Sequence, residues 1–323
     1  MTVTMAAALN TALRDALRDD DRVVIYGEDV GRLGGVFRIT DGLQATFGAE
    51  RCFDTPVAES GIAGTALGMA LYGLRPVVEM QFDGFSYPAL DQVISHVAKY
   101  RNRTRGSVGL SMVIRIPYGG GIGAVEHHSE SPEAYYAHTA GLTVVSPGTP
   151  SDAYALLRAS IDHPDPVIFL EPKRRYWQKE DVELPVTGEP IGRAAVRRAG
   201  STATVIAYGP MVTTALEAAD AAGDEGWDLE VIDVRTLQPL DVETLTASAR
   251  KTGRVIVVHE APRFAGYGAE IAATIGERAF GYLAAPIQRV TGYDVPYPPA
   301  KIEKHYLPHV DRILDAVGHA LEY

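Results

Sequence analysis

Cysteine is almost absent from this chain. Its 323 residues include one, Cys52, so no internal disulfide forms, and a reducing, cytoplasmic compartment is expected. Long apolar runs are missing as well. No stretch of eighteen or more apolar residues occurs, so no membrane span is expected. The start, Met1-Thr2-Val3-Thr4-Met5, has no basic segment ahead of an apolar core, so no secretory leader is expected. Positive charge is in short supply: 30 Lys and Arg against 41 Asp and Glu leave a net charge of −11. That balance repels nucleic-acid phosphates and leaves room for a basic protein partner. Several catalytic signatures are also absent. There is no Gly-x-Ser-x-Gly elbow and no phosphate loop ending in Gly-Lys-Ser/Thr. The run Gly119-Gly120-Gly121-Ile122-Gly123 does not complete a dinucleotide fingerprint, because Glu126 stands three residues after Gly123. His127 and His128 are adjacent, so they point apart and lack the i, i+4 spacing of a zinc helix.

What the chain does have is 46% hydrophobic residues and a regular alternation of strand and helix patterns. The length suits roughly two domains of about 150 residues. The spacing of Leu9, Leu13 and Leu17 predicts a helix over 6–18. Buried parallel strands are predicted at 22–27, 51–54, 75–82, 110–117, 142–147 and 167–171, with helices at 41–47, 59–71, 89–103 and 150–161 between them. Ile94 falls on the inward face of the helix at 89–103. From residue 173 to 200 the pattern loosens. Lys173-Arg174-Arg175 reads as a solvated face or an interface rim, and Pro185, Gly188, Pro190 and Gly192 mark a boundary, placed after residue 185. Strands at 204–208, 229–234, 255–259 and 287–290 then alternate with helices at 212–222, 242–250, 267–280 and 310–321. Alternation of this kind implies βαβ units and an α/β fold of two open, mostly parallel sheets.

The stretch from Asp54 to Gly64 organises the first half. Pro56 bars a continuing central strand. A helix pattern of small apolar residues, expected to be buried, then begins near Glu59, at the carboxyl end of a strand. Open α/β sheets place their ligands at that edge. Two readings of Glu59 stand at this point: an acid beside a buried ligand, or a first-turn glutamate favoured by the helix dipole. The glycine run before Glu126-His127-His128-Ser129-Glu130-Ser131-Pro132 reads as a mobile loop that presents the histidine pair.

A set of ordered motifs adds more. Tyr26-Gly27-Glu28-Asp29-Val30-Gly31, Asp54-Thr55-Pro56-Val57-Ala58-Glu59, Gln81-Phe82-Asp83-Gly84-Phe85 and Pro88-Ala89-Leu90-Asp91-Gln92 are joined by His127-His128-Ser129-Glu130-Ser131-Pro132-Glu133 and Leu237-Gln238-Pro239-Leu240-Asp241. Together they resemble the thiamine-diphosphate-dependent 2-oxoacid dehydrogenases, in the beta subunit of the decarboxylating component. The resemblance covers nearly the whole chain. Ala98-Lys99-Tyr100-Arg101 with the histidine motif looks more like the branched-chain than the pyruvate enzymes; pyruvate and acetoin enzymes are the nearest alternatives. A non-catalytic assembly subunit is the rival of another class, disfavoured by Glu59, Phe85 and His128 standing together.

The resemblance implies a transketolase-like pyrimidine-binding domain at 1–185 and a transketolase-like C-terminal domain at 186–323, the latter carrying dimerisation and contact with a lipoyl-bearing acyltransferase core. It implies that Glu59 activates the cofactor through its pyrimidine nitrogen, that Phe85, Val57, Gln81 and Glu28 line the ring, and that His128 serves the 2-oxoacid and acyl transfer to lipoamide. It implies potassium on the backbone carbonyls of Met112, Ser160, His163 and Asp165, where His163 replaces an acidic residue. Relatives that hold the diphosphate through magnesium use Gly-Asp-Gly, and this chain contains none. The resemblance therefore implies an alpha subunit that supplies Mg2+ and the diphosphate site, in an α2β2 enzyme.

Overall fold

The computed structural model describes residues 2–323. Its first sheet has seven strands, in the order Thr236–Gln238, Thr143–Val145, Val167–Pro172, Val113–Tyr118, Arg75–Glu79, Val23–Gly27 and Cys52–Asp54. All neighbours run parallel except the first pair. Its second sheet has five strands, in the order Gln288–Gly292, Val255–Pro262, Ala203–Ala207, Leu229–Asp233 and Ala195–Arg198, with the last antiparallel. The strands read as near-continuous apolar runs because helices cover both faces of a parallel sheet. Val23, Ile25, Val205 and Val257 are all fully buried. The helix Met5–Asp19 starts where the Thr4 hydroxyl accepts the Ala7 N–H at 3.2 Å. It buries Leu9, Leu13 and Leu17 in one core with Leu156 and Leu157 of the helix Pro150–Asp162.

Four expectations change. The segment at 89–103 is not one helix. Its Ser95 carbonyl accepts the Arg103 guanidinium at 2.6 Å, and the Lys99 N–H turns to the His96 carbonyl, so the ladder breaks after Leu90–Ser95. Ile94, placed inward by spacing, is 38% exposed. The helix Glu59–Leu71 buries Ile62, Ala63 and Ala66 but leaves Gly61, Thr65, Gly68 and Leu71 open, because one chain covers only one side of it. A strand absent from the pattern, Thr236–Gln238, crosses from the second half of the chain onto the edge of the first sheet.

The fourth change concerns the basic run. Lys173 is fully buried against Asp83. Arg174 meets Glu260 at 2.5 Å, and Arg175 donates to the Pro210 carbonyl at 2.9 Å. Arg174 and Arg175 therefore tie the two sheets' domains together, while Lys173 is held inside the first. The reason is position: the run follows directly on the buried strand Val167–Pro172, so its side chains leave the sheet edge into the domain contact.

Glu133 lies in the same contact, fully buried, and accepts the Tyr208 hydroxyl at 2.8 Å. Burial pushes its carboxyl up to about 7. The folded chain thus holds this proton above the ordinary carboxylate range of about 4.3. Stability from this group is fully present below that range and is lost as pH rises through about 7. Glu133→Gln keeps the acceptor for Tyr208 and removes the titration. Its melting temperature should fall less between pH 5 and pH 8 than that of the unsubstituted protein. Parallel melting curves in calorimetry would contradict the assignment.

Candidate active site

Four segments converge at the carboxyl edge of the first sheet. Glu28 follows the strand Val23–Gly27, Glu59 follows Cys52–Asp54, Gln81 to Phe85 follow Arg75–Glu79, and the glycine loop with His128 follows Val113–Tyr118. These strands are neighbours in the sheet, so their ends meet.

Glu59 opens its helix and is 6% exposed. Glu28 is also buried, and neither of its carboxyl oxygens has a hydrogen-bond donor. Burial, with the Glu59 carboxyl beside it, pushes Glu28 up to about 7. Glu28 therefore keeps its carboxyl proton to higher pH than an exposed glutamate does. Beneath them the buried Arg115 bridges Glu79 at 2.8 Å and Glu171 at 2.6 Å. Gln81 Nε2 donates to Asp29 at 2.9 Å and flanks the same corner. Val57 is 74% exposed, so it stands on an open face and not inside a closed cavity.

His128 is stacked on Phe82, centroid to centroid 3.9 Å, and meets Phe85 edge-on at 5.2 Å. Its Nδ1 lies 2.9 Å from the His127 carbonyl. Burial lowers its pKa, so the neutral imidazole is favoured. His127 is exposed beside it. The loop backbone is fixed from below: Asp83 accepts the Glu130 N–H at 2.8 Å and is itself paired with Lys173. Gly84 allows this close approach, since a Cβ there would overlap the His127 carbonyl. The structure thus brings together Glu28, Glu59, Gln81, Phe85 and His128 at one edge.

Met112, Ser160, His163 and Asp165 gather elsewhere, at the opposite end of these strands. The Met112 carbonyl accepts Val167 N–H at 3.0 Å, that of Ser160 accepts His163 N–H at 3.3 Å, and that of His163 accepts the Ser111 hydroxyl at 2.8 Å. The Asp165 carbonyl lies 2.9 Å from His163 Nδ1. The carbonyls of Met112, Ser160 and His163 already have a partner within the chain. A cleft of about 1170 Å³ between the domains, lined by Leu90, Tyr135, Leu240 and Tyr267 among others, touches none of the acid–base residues.

Three contributors carry little sign of their role in the sequence. Phe82 lies inside the motif Gln81-Phe82-Asp83-Gly84-Phe85, and its place two residues before Gly84 is its one local sign. Lys173 and Asp83 lie 90 residues apart, and no local pattern pairs them.

Residues 1–178 match the family described as transketolase, pyrimidine binding domain, and residues 192–313 match transketolase, C-terminal domain. A 3-methyl-2-oxobutanoate dehydrogenase subunit beta of Mycobacterium tuberculosis is 57% identical over 99% of this chain and 92% of its own length. A pyruvate dehydrogenase E1 component subunit beta of Leifsonia xyli is 52% identical over 100% of this chain and 96% of its own. A solved structure titled split gene transketolase, inactive beta4 tetramer, superposes with a TM-score of 0.82 at 25% identity, covering 99% of this chain and 98% of that one.

Proposed function

We propose a function from one premise: this chain belongs to the beta subunits of the decarboxylating component of the 2-oxoacid dehydrogenases, a thiamine-diphosphate-dependent family. Our reading is oxidative decarboxylation of a branched-chain 2-oxoacid, with transfer of the acyl group to lipoamide of an acyltransferase core. The observation that carries it is the buried Glu59 at a helix start, beside the unpartnered carboxyl of Glu28. A buried acid with no partner in its own chain fits a ligand that brings one. The ring nitrogen and amino group of a pyrimidine would suit it.

Thiamine diphosphate, when bound, supplies the nucleophilic carbon and the electron sink that decarboxylation needs. The chain's own residues do the rest. Glu59 offers its carboxyl group to the pyrimidine ring nitrogen, and Glu28 stands behind it as a second acid. Phe85 offers a ring for aromatic packing, and Val57 and Gln81 border the same corner. His128, kept neutral by burial, accepts and returns a proton at its free Nε2 where the 2-oxoacid and lipoamide arrive.

The second half of the site belongs to an alpha subunit in this reading, with Mg2+ held there, in an α2β2 enzyme. The open side of Glu59–Leu71 supports such a partner. That helix is apolar nearly all round, which is a property of buried helices, and Tyr72 after it is 89% exposed. We place the division between the pyrimidine-binding and C-terminal domains after residue 185, and the cytoplasm as the compartment. Among the described residues no helix is long and apolar enough to cross a membrane. Potassium on Met112, Ser160, His163 and Asp165 would use the second lone pair of each carbonyl.

Two measurements test the reading. Co-expression with candidate alpha subunits, then assay on pyruvate and on branched 2-oxoacids, decides the substrate; a pyruvate preference would move the chain to the alternative. The purified beta chain alone should bind thiamine diphosphate weakly and turn nothing over, since it has no Gly-Asp-Gly. Tight, magnesium-dependent binding in calorimetry would refute the shared site.

A further inference from the structure

We propose that Glu303, with Tyr297, is a positioning residue for His128: a carboxylate of the second domain that holds the glycine loop leading into the histidine. The proposal rests on the catalytic reading of His128 given above.

The loop leaves the strand Val113–Tyr118 and returns at Glu130. Both of its ends are tied within the first domain. The Gly119 N–H donates to the Glu130 carbonyl at 2.8 Å, and the Glu130 N–H donates to Asp83 at 2.8 Å. The outer bend has different partners. The Gly120 N–H donates to Glu260 at 3.1 Å. The Gly121 N–H is shared between the Tyr297 hydroxyl at 3.1 Å and Glu303 Oε2 at 3.2 Å. The Gly123 N–H donates to Glu303 Oε1 at 3.2 Å. One carboxylate therefore receives two amides of the bend, one on each oxygen, and the Tyr297 hydroxyl at 2.9 Å besides.

Glu303 lies some 180 residues further along the chain than these amides. It and Tyr297 are both buried. Side-chain packing does little for the bend: Ile122 and Val125 are exposed. Its glycines are required by the approach of the second domain. A Cβ on Gly120 would overlap the Tyr297 hydroxyl, and Gly121 and Gly123 have φ of +88° and +72°. A loop of such residues has high intrinsic freedom, and charge-assisted bonds to a buried carboxylate are the restraint that suits it. With the bend released, the His128 ring would sample orientations away from its stack on Phe82.

The test uses the assembled α2β2 enzyme with Glu303→Gln, Glu303→Asp and Tyr297→Phe. Gln keeps one acceptor and loses the charge and the second acceptor. Acyl transfer to a lipoyl domain should fall about tenfold to a hundredfold in Glu303→Gln, the usual scale for a misplaced catalytic group. Glu303→Asp should recover part of that loss, and Tyr297→Phe should show a smaller one. Exchange of the thiazolium proton, which depends on Glu59, should stay within about twofold in all three, on the logic that a change confined to one step leaves the others intact. Thermolysin should cut the beta chain faster between residues 121 and 125. Equal losses in exchange and transfer, or a loop as protected as before, would overturn the proposal. If His128→Ala leaves acyl transfer intact while Glu303→Gln loosens the loop, the catalytic reading of His128 fails and the tether stands. If Glu303→Gln does not fold, Tyr297→Phe decides by the same measurements.

Discussion

Glu59→Gln in the assembled enzyme should keep its cofactor and lose turnover. Gln fills the same volume and donates one hydrogen bond, so the buried corner stays packed. It neither gives up nor takes a proton. Loss of one acid–base group costs roughly 10²–10⁴-fold in rate, about 3–5 kcal/mol of barrier. Glu28, pushed up to about 7 by burial and by Glu59, does not replace it. Its proton sits beside the Glu59 carboxyl, one group removed from the position assigned to the ring nitrogen. The step is isolated by following thiazolium proton exchange by NMR in deuterated buffer. Wild-type exchange with bound cofactor would remove Glu59 from the activating role, and the reading of the whole sheet edge with it.

Lys173→Met should be a costly change for stability. The Asp83–Lys173 pair is fully buried. Removing one partner of a buried pair costs about 3–5 kcal/mol, because the other charge remains without compensation. Burial already pushes Asp83 up to about 6, with Lys173 opposing the shift. Without Lys173 the carboxyl should hold its proton to higher pH. The sign follows: a carboxyl raised in the folded state stabilises at low pH and loses that contribution as pH rises through its folded value. The variant's deficit in melting temperature should therefore be larger at pH 8 than at pH 5.5. The double variant Asp83→Asn with Lys173→Met should recover much of the loss. A single variant as stable as the parent at pH 8 would mean that the pair carries no uncompensated charge.

The parts of this fold that were legible in the sequence are those written in local periodicity. Leu9, Leu13 and Leu17 announce one helix face, and that face is buried. The run from Val23 to Tyr26 announces a strand covered on both sides, and it is. The two sheets, their mostly parallel order and the family were legible as well, because six motifs occur in the right sequence. What stayed hidden depends on distant parts of the chain. Lys173, Arg174 and Arg175 look like a solvated run until Asp83, Glu260 and Pro210 arrive from elsewhere. The 89–103 segment has good helical spacing, but a side chain from its own far end captures the Ser95 carbonyl. Glu303 carries no local sign of its role, since its partners are backbone amides of glycines near residue 120.

The strand Thr236–Gln238 has a consequence for how the protein is made and handled. It is donated by the second half of the chain to the border of the first sheet, beside Thr143–Val145. On a ribosome, that border stays bare until residue 238 has left the exit tunnel. A chain cut at the domain boundary would carry it permanently. Unpaired strand edges recruit other strands, and apolar residues such as Val144 and Val145 would make this one adhesive. The first domain expressed alone should therefore aggregate or swap strands, and soluble material should require the full chain, or a peptide spanning 236–238 supplied in trans.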